Sequence, residues 1–321
     1  MYNIVSCFIV KKIIMNLFYA VNCLKKLLLV FLLKYGAFVP DKLYLSWMYY
    51  LKTGVRMNWE NPQTYTEKLQ WLKLYDRRPE YSMLVDKVKV KEYVKAIIGE
   101  EHIIPTLGVW DKADEIDFDS LPSQFVLKCN HNSSSGLCIC KDKNRLDSSS
   151  VKQKLKQSLK SNYYNLWREW PYKNVERKIL AEKLLVDKMN GETDVLTDYK
   201  FFCFNGEPYI MYVSKDIAKQ ATTDFFDMDY NRLPIRMKDP NSKIIPEKPK
   251  EFEKMKELAE KLCKGFNHIR VDFYVVNHCV YFGELTFFHN AGFSLVHPSE
   301  WNLKLGSLIQ ISNMKGDKGC I

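Results

Sequence analysis

The chain has 321 residues, 46% of them hydrophobic and 27% charged, with a net charge of +10 and a calculated pI near 9.0. At roughly 150 residues per domain, that length fits two lobes or one large α/β unit, and a core can form without disulfide or metal staples. The basic excess favours an anionic lipid surface or an acidic polymer, and no helix-turn-helix, zinc finger or arginine-rich arm speaks for nucleic acid.

Residues 1–60 hold eight Lys or Arg against two acids. Within residues 1–39, apolar runs are broken by Lys11-Lys12, Lys25-Lys26 and Lys34. Neither run reaches the roughly 18–20 residues that a spanning helix needs. No small-residue cleavage site follows at a convincing distance. Two readings fit: helices packed on a catalytic body, or an amphipathic helix lying on the inner face of the plasma membrane. Met1 and Met15 are both candidate starts.

Further on, an aromatic helix is predicted over 43–51, ended by Gly54. A second opens at Pro62 and Thr64 and carries Leu69, Leu72 and Leu74. A third is predicted from Asp86 to Ile98, ended by Gly99. The pattern turns β-rich at Ile103. Residues 125–127 form a short buried strand that runs into the polar loop 128–136, and a strand over 137–140 follows. Residues 151–170 are predicted as one helix ending in Tyr163, Tyr164, Trp167 and Trp170, and 179–185 as a strand and its exit. Hairpins are predicted at Asn205-Gly206, the strongest short turn signal, and at Asn277-His278. Between them, 249–264 is an amphipathic helix. The expected fold class is α+β with antiparallel strands, not a doubly wound parallel sheet.

Nine cysteines, an odd number, lie mostly in apolar strand-like runs such as Phe201-Phe202-Cys203-Phe204, which points to reduced thiols and a cytoplasmic location. Cys138 and Cys140 share a strand face, but no second pair with zinc-ligand spacing follows, so they read as packed side chains.

Lys128, delivered by a strand into a loop of Ser and Gly, has the ingredients of a phosphate cradle: a point charge beside backbone that can approach oxygens closely. Most such loops are ordinary surface turns. In the last hairpin, Asp272 and Glu284 each interrupt an apolar strand, where an unpaired carboxylate is costly. Converging on one face, they suit a hard cation. The competing reading pairs Asp272 with Arg270, on the same strand face, as a structural ion pair. His131, His289 and His297 lack an adjacent nucleophile or orienting carboxylate and read as structural.

Taken in order, these features resemble the ATP-grasp superfamily, and the finer pattern looks like its TupA-like branch, named for teichuronopeptide biosynthesis. The match is carried by residues 61–71, Asp86-Lys87 and the residues to 94, Lys128 and its loop, Ala181-Glu182-Lys183-Leu184-Leu185, Asp198-Tyr199-Lys200-Phe201 with Asn205-Gly206, and Arg270 through Glu284. The resemblance covers about 40–310. It implies two antiparallel lobes clasping a nucleotide behind a helical extension: segment 1–39, a helical region 40–115, a small lobe 116–190 and a large lobe 191–315.

The resemblance also implies roles. Lys87 and Lys128 would hold the ATP phosphates, under a loop that includes Asn130, Ser133, Ser134, Ser135 and Gly136. Glu182, Lys183, Leu184 and Leu185 would meet the adenine, chiefly through backbone. Lys200 would be a phosphate or substrate contact, and Arg270 would stabilise the transferring phosphoryl group. Asp272 and Glu284 would bind magnesium. Thr286 stands where the family pattern has Asn, and a hydroxyl ligates magnesium weakly, which puts the second metal site and full activity in question.

The implied reaction is an ATP-dependent joining of a carboxylate to an amine through an acyl phosphate, in the making of a cell-surface polysaccharide. The acceptor would be an acidic or lipid-linked saccharide, and the amine amino-acid-like. Two rivals remain: a glycosyltransferase, which lacks the expected Asp-x-Asp motif and Rossmann glycine turn here, and a non-catalytic scaffold on a degenerate ATP-grasp fold. Dependence on ATP, on a sugar nucleotide or on neither separates the three.

Overall fold

The computed structural model describes residues 23–132, 136–187, 196–217 and 220–311. Helix α1 occupies 23–35 and α2 Asp41–Thr53, which ends on Gly54 in the left-handed region (φ 76°). Helix α3, Tyr65–Tyr75, opens with a capping box in which the Thr64 side chain accepts from Glu67 N and Glu67 accepts from Thr64 N. Pro62 and Thr64 forecast that start. The helix expected from Asp86 is cut short to α5 (Val90–Ile98), and a helix that was not expected, α4 (Glu80–Val85), precedes it; between them lies a turn in which Asp86 Oδ1 accepts from Val88 N and Lys89 N. An aspartate bonding its own following backbone interrupts a helix more readily than it continues one.

Strands β1 (Thr106–Trp110), β2 (Phe125–Cys129), β3 (Cys138–Cys140) and β4 (Ile179–Lys183) form a four-stranded antiparallel sheet in the order β1-β4-β2-β3. Its edge strand lies ahead of residue 116, where the small lobe was expected to begin. The expected helix over 151–170 is also split: α6 is Ser148–Lys160 and α7 is Tyr163–Trp167. Asn162 between them accepts from Asn165 N and so starts a new helix. Helix α6 packs on this sheet through Val151 and Leu155, against Phe125, Leu127 and Ile179.

The second sheet has six strands in the order β10-β9-β5-β6-β7-β8, and every pair is antiparallel. They are β5 (Asp198–Phe204), β6 (Glu207–Ile217), β7 (Gln220–Asp227), β8 (Arg232–Leu233), β9 (His268–Val276) and β10 (Cys279–Thr286). Both forecast hairpins are present, with positive φ at Asn205 and Gly206 and at Asn277 and His278, the geometry of a tight two-residue turn. Helix α8 (Phe252–Leu262) lays Phe252, Met255, Leu258 and Leu262 into the main core with Phe201, Val271 and Phe273. Each such side chain contributes about 1.5–3 kcal/mol by burial. Helix α9 (Ser299–Leu308), which the sequence did not signal, packs on α3. The architecture is α+β with two antiparallel sheets.

Candidate active site

Three neighbouring strands of the larger sheet carry the charged groups. Register sets Lys200 of β5 opposite Asp272 of β9, and Glu284 of β10 opposite that same Asp272. Directly opposed residues on antiparallel strands share a face. The β10 register slips between Phe282 and Glu284, so Gly283 is an extra residue. Without that bulge Gly283 would oppose Asp272 and Glu284 would turn away. A Cβ on Gly283 would lie 3.1 Å from the Tyr274 ring and 3.2 Å from the Asp272 carbonyl oxygen, which leaves little room for a side chain.

Arg270 is the hub. Its Nε and Nη2 each donate to an Asp272 oxygen at 2.6 Å, and Nη2 also reaches Glu284 Oε1 at 3.2 Å and Thr286 Oγ1 at 3.0 Å. Nη1 donates to His289 Nδ1 at 2.7 Å. Burial and the guanidinium together push the His289 pKa far below its usual value, so the ring stays neutral and can accept. Lys200 Nζ bonds Asp272 Oδ2 at 2.8 Å and lies 3.0 Å from Asp198 Oδ1. Burial opposes the Lys200 charge, but Asp272, Asp198 and Tyr212 together outweigh it and raise the pKa above the lysine range. For Glu284, burial is overcome by Lys87, Arg270, Lys200 and Lys128, which hold its carboxyl at about 2.

The smaller sheet faces this set with its own charges. Lys128 on β2 and Lys91 on α5 sandwich the Glu182 carboxylate of β4, at 2.5 and 2.6 Å. Burial is again overcome, and the two lysines hold Glu182 below its ordinary range. Lys87 Nζ donates to Asn132 O at 2.7 Å and lies 3.8 Å from Glu284 Oε2, so it spans the two lobes. Asn130 is fully buried and turned inward. Its Nδ2 donates to Asp86 Oδ1 and Glu176 O, each at 2.8 Å, and its Oδ1 accepts from Lys178 N. That network makes Asn130 a clamp on the Asp86-Lys87 turn, not a group pointing at a ligand. Gly136 sits at φ 74°, where a Cβ would come within 2.6 Å of Ser158 Cβ. Ser133, Ser134 and Ser135 lie outside the described residues.

Between the sheets lies a cleft of about 1470 Å³. Lys87, Lys128, Glu182, Lys183, Leu184, Leu185, Lys200, Arg270, Glu284 and Thr286 all line it, so residues up to 199 positions apart in sequence meet in one place. Lys183 N donates to Pro105 O, tying the strand exit to the segment before β1. Asp272 is 1% exposed and sits beneath Arg270. Among the described residues no group of three or more His, Cys, Asp or Glu is spaced to hold a metal. The donors present are two carboxylates and a hydroxyl, all hard oxygens. They suit magnesium held by one or two carboxylates and completed by substrate phosphates.

A family model, TupA-like ATP-grasp, matches residues 67–310. The chain belongs to the TupA-like ATP-grasp family. The matched span includes Lys87, Lys128, the β4 exit and the whole β9–β10 hairpin, and begins within α3. A D-alanine–D-alanine ligase from Bacillus anthracis is similar in structure, with 17% identity, 73% of this chain and 69% of that one covered, and a TM-score of 0.40. Its ATP complex gives 16% identity, 64% and 54% coverage, and 0.37. The ATP-grasp ligase PsnB with a minimal precursor gives 10%, 69% and 59%, and 0.37. This chain thus spans between about half and 70% of those proteins. No curated protein matches it.

Sequence reasoning passed over Lys91, Asp198 and Glu169, and read His289 only as a structural residue. Asp198 stands one residue before the expected strand at Tyr199 and two from Lys200, a spacing that gives a shared face once the strand begins at Asp198. Nothing in the local sequence pairs Lys91 with Glu182.

Proposed function

We propose that this TupA-like ATP-grasp protein is an ATP-dependent ligase that joins a carboxylate to an amine through an acyl phosphate. The observation that carries the reading is the meeting of Lys87, Lys128, Lys200 and Arg270 with Glu284 at one cleft, over the buried Asp272 that holds Lys200 and Arg270. A carboxylate is a poor electrophile, and phosphorylation turns its oxygen into a leaving group. The transferring phosphoryl group spreads negative charge over its oxygens, so the protein's work is alignment and neutralisation by fixed cations. Arg270, locked by Asp272 below and His289 beside it, keeps one face toward the cleft. Lys128 rests on Glu182 and Lys91 shares that acid, so Lys128 can turn to phosphates while Glu182 stays paired.

Asp272, Glu284 and Thr286 would hold magnesium, which when bound supplies further charge neutralisation to the phosphates. The backbone of 183–185 would meet the adenine. Lys52, Lys183 and Lys238 also line the cleft, and this added positive rim supports an acidic saccharide acceptor in cell-surface polysaccharide synthesis. The exposed lysines of α1 and its apolar outer stripe support work at the inner membrane face.

The test supplies ATP, magnesium, hydroxylamine and a panel of uronic-acid glycans and amino acids. An acyl phosphate is intercepted as a hydroxamate, and Lys128→Ala lowers its yield at least about tenfold. Sugar transfer from a nucleotide sugar without ATP would hand the protein to the glycosyltransferase reading, and nucleotide binding with neither reaction to the scaffold reading.

A further inference from the structure

Glu169 follows Arg168, whose backbone stands in the left-handed region at φ 54°, and this turn directs the carboxylate at the cleft. The residue is 3% exposed, yet its Oε1 has no hydrogen-bond partner. The cation beside it, Lys73, does not fill that gap. An ammonium has three N–H donors, and Lys73 spends them on Gln70 Oε1 at 3.1 Å, Trp167 O at 2.8 Å and Ala291 O at 2.7 Å. Lys73 therefore acts on Glu169 through its field and not through a bond.

Around the carboxylate the wall is aromatic. Tyr163 and Tyr172 pack edge to face at 4.7 Å between ring centres, and Trp167, Phe288 and Phe293 line the same cleft. Burial pushes the Glu169 carboxyl up to about 7, against Lys73 and Tyr163, which lower it. Arg270 and Glu284 are close enough to act on its charge. A buried carboxylate oxygen without a donor is costly, and the phosphoryl-transfer groups do not use it.

The geometry points to a subsite in which Glu169 Oε1 accepts from the primary ammonium of an amino-acid-like amine, against the Tyr163–Tyr172 pair and beside Arg270 and Glu284. A cation there meets an acceptor without a hydrogen-bond partner and the electron-rich Tyr163 and Tyr172 rings that line the cleft. Calling that amine the nucleophile rests on the ligase reading. Its binding does not require turnover.

Binding is therefore tested without turnover, by saturation-transfer NMR on the full chain with a non-hydrolysable ATP analogue. The probes are the common amino acids and their N-acetylated forms. At least one free-amine amino acid should give a signal with the wild type, and its N-acetyl form should not. Glu169→Gln should weaken that binding at least about tenfold, the loss expected for a charge-assisted bond. The same variant should keep its affinity for the ATP analogue and a melting temperature at or above the wild type. Glu169→Asp should weaken binding less while still preferring the free amine. Equal signals from wild type and Glu169→Gln, equal binding of the N-acetyl form, or no amino acid bound by the wild type would each overturn the subsite. Should binding behave as expected while no carboxylate yields a hydroxamate, the ligase reading falls and the subsite stands.

Discussion

Arg270 and Asp272 stand two apart on β9, and the structure joins the two meanings the sequence left open for them. The bidentate pair is a structural ion pair, and it also fixes the guanidinium at the cleft. Magnitudes then choose the better mutation. Asp272→Asn leaves Lys200 and Arg270 short of a buried counter-charge and should cost about 3–5 kcal/mol of stability. Glu284 has a side chain 34% exposed, so Glu284→Gln should remove at least about 99% of turnover with little loss of fold. A Glu284→Gln enzyme that consumes ATP at the wild-type rate would sink the metal assignment. Thr286→Asn exchanges a hydroxyl for a better amide oxygen and should lower the magnesium concentration that half-activates the enzyme. Glu169 makes a pH prediction. Its folded pKa, about 7, lies above the usual carboxylate value, so the folded chain binds more protons between pH 4.5 and 7 and loses stability as pH rises through that window. Gln does not titrate. Glu169→Gln should therefore gain on the order of 3 kcal/mol relative to wild type between pH 4.5 and pH 8 in urea melts. A pH-independent difference would show that the carboxyl is not raised. Lys128, Arg270, Asp272 and Glu284 were legible because each breaks an apolar strand. Glu169 was not, since a lone acid inside an aromatic run has no period, and its meaning comes from Lys73, 96 positions away.

At the scale of elements, the hairpins were legible because Asn-Gly and Asn-His turns write their backbone geometry into residue type. Strand β7 was not. Its Thr222, Thr223 and Asp224 break any apolar pattern, and no strand was expected there, but Asp224 is buried and paired with Arg232, and Thr223 accepts from Asn241 Nδ2 through its carbonyl. Long-range pairing supplies what local hydrophobicity does not. Asn130 joins the smaller sheet to the helical region, since it ties the end of β2 to the Asp86-Lys87 turn and to residues 176 and 178. Asn130→Ala strips a partner from the buried Asp86 carboxylate and from the partly buried Glu176 carbonyl and Lys178 amide, and should cost about 1–3 kcal/mol. Because Lys87 rides on that turn, its affinity for ATP should fall as well. A variant with wild-type melting and unchanged ATP affinity would remove Asn130 from any role in the site.

For the whole molecule, the described part of the first segment matters most, and α1 divides the two earlier readings between its faces. Leu32 is 1% exposed and packs with Tyr44, Met48 and Phe293, while Arg168 Nη2 donates to Gly36 O at 2.7 Å and to Val39 O at 3.2 Å. That inner face belongs to the body. Leu24, Leu27, Leu28, Phe31 and Tyr35 recur at helical spacing on the opposite side, exposed, with Lys34 alongside, whereas Lys25 turns to the body and stands over the Tyr50 ring at 5.3 Å. No helix among the described residues is long and apolar enough to cross a membrane. An exposed apolar stripe with a lysine at its flank suits the boundary of an anionic bilayer, where burial and about 1 kcal/mol per basic residue act together. Cutting the chain at Pro40 would uncover Tyr44 and leave Arg168 without two acceptors, so truncation confuses folding with attachment. The sharper variant is Leu27→Ser with Phe31→Ser, which spares the inner face. It should melt with the wild type and bind ATP as tightly, yet pellet several-fold less with vesicles containing phosphatidylserine or phosphatidylglycerol. Raising salt should weaken wild-type pelleting without abolishing it, because the lysine contribution is screened and the apolar one is not. Equal pelleting of wild type and double variant at low salt would remove the stripe from membrane attachment, whatever the rest of the chain does.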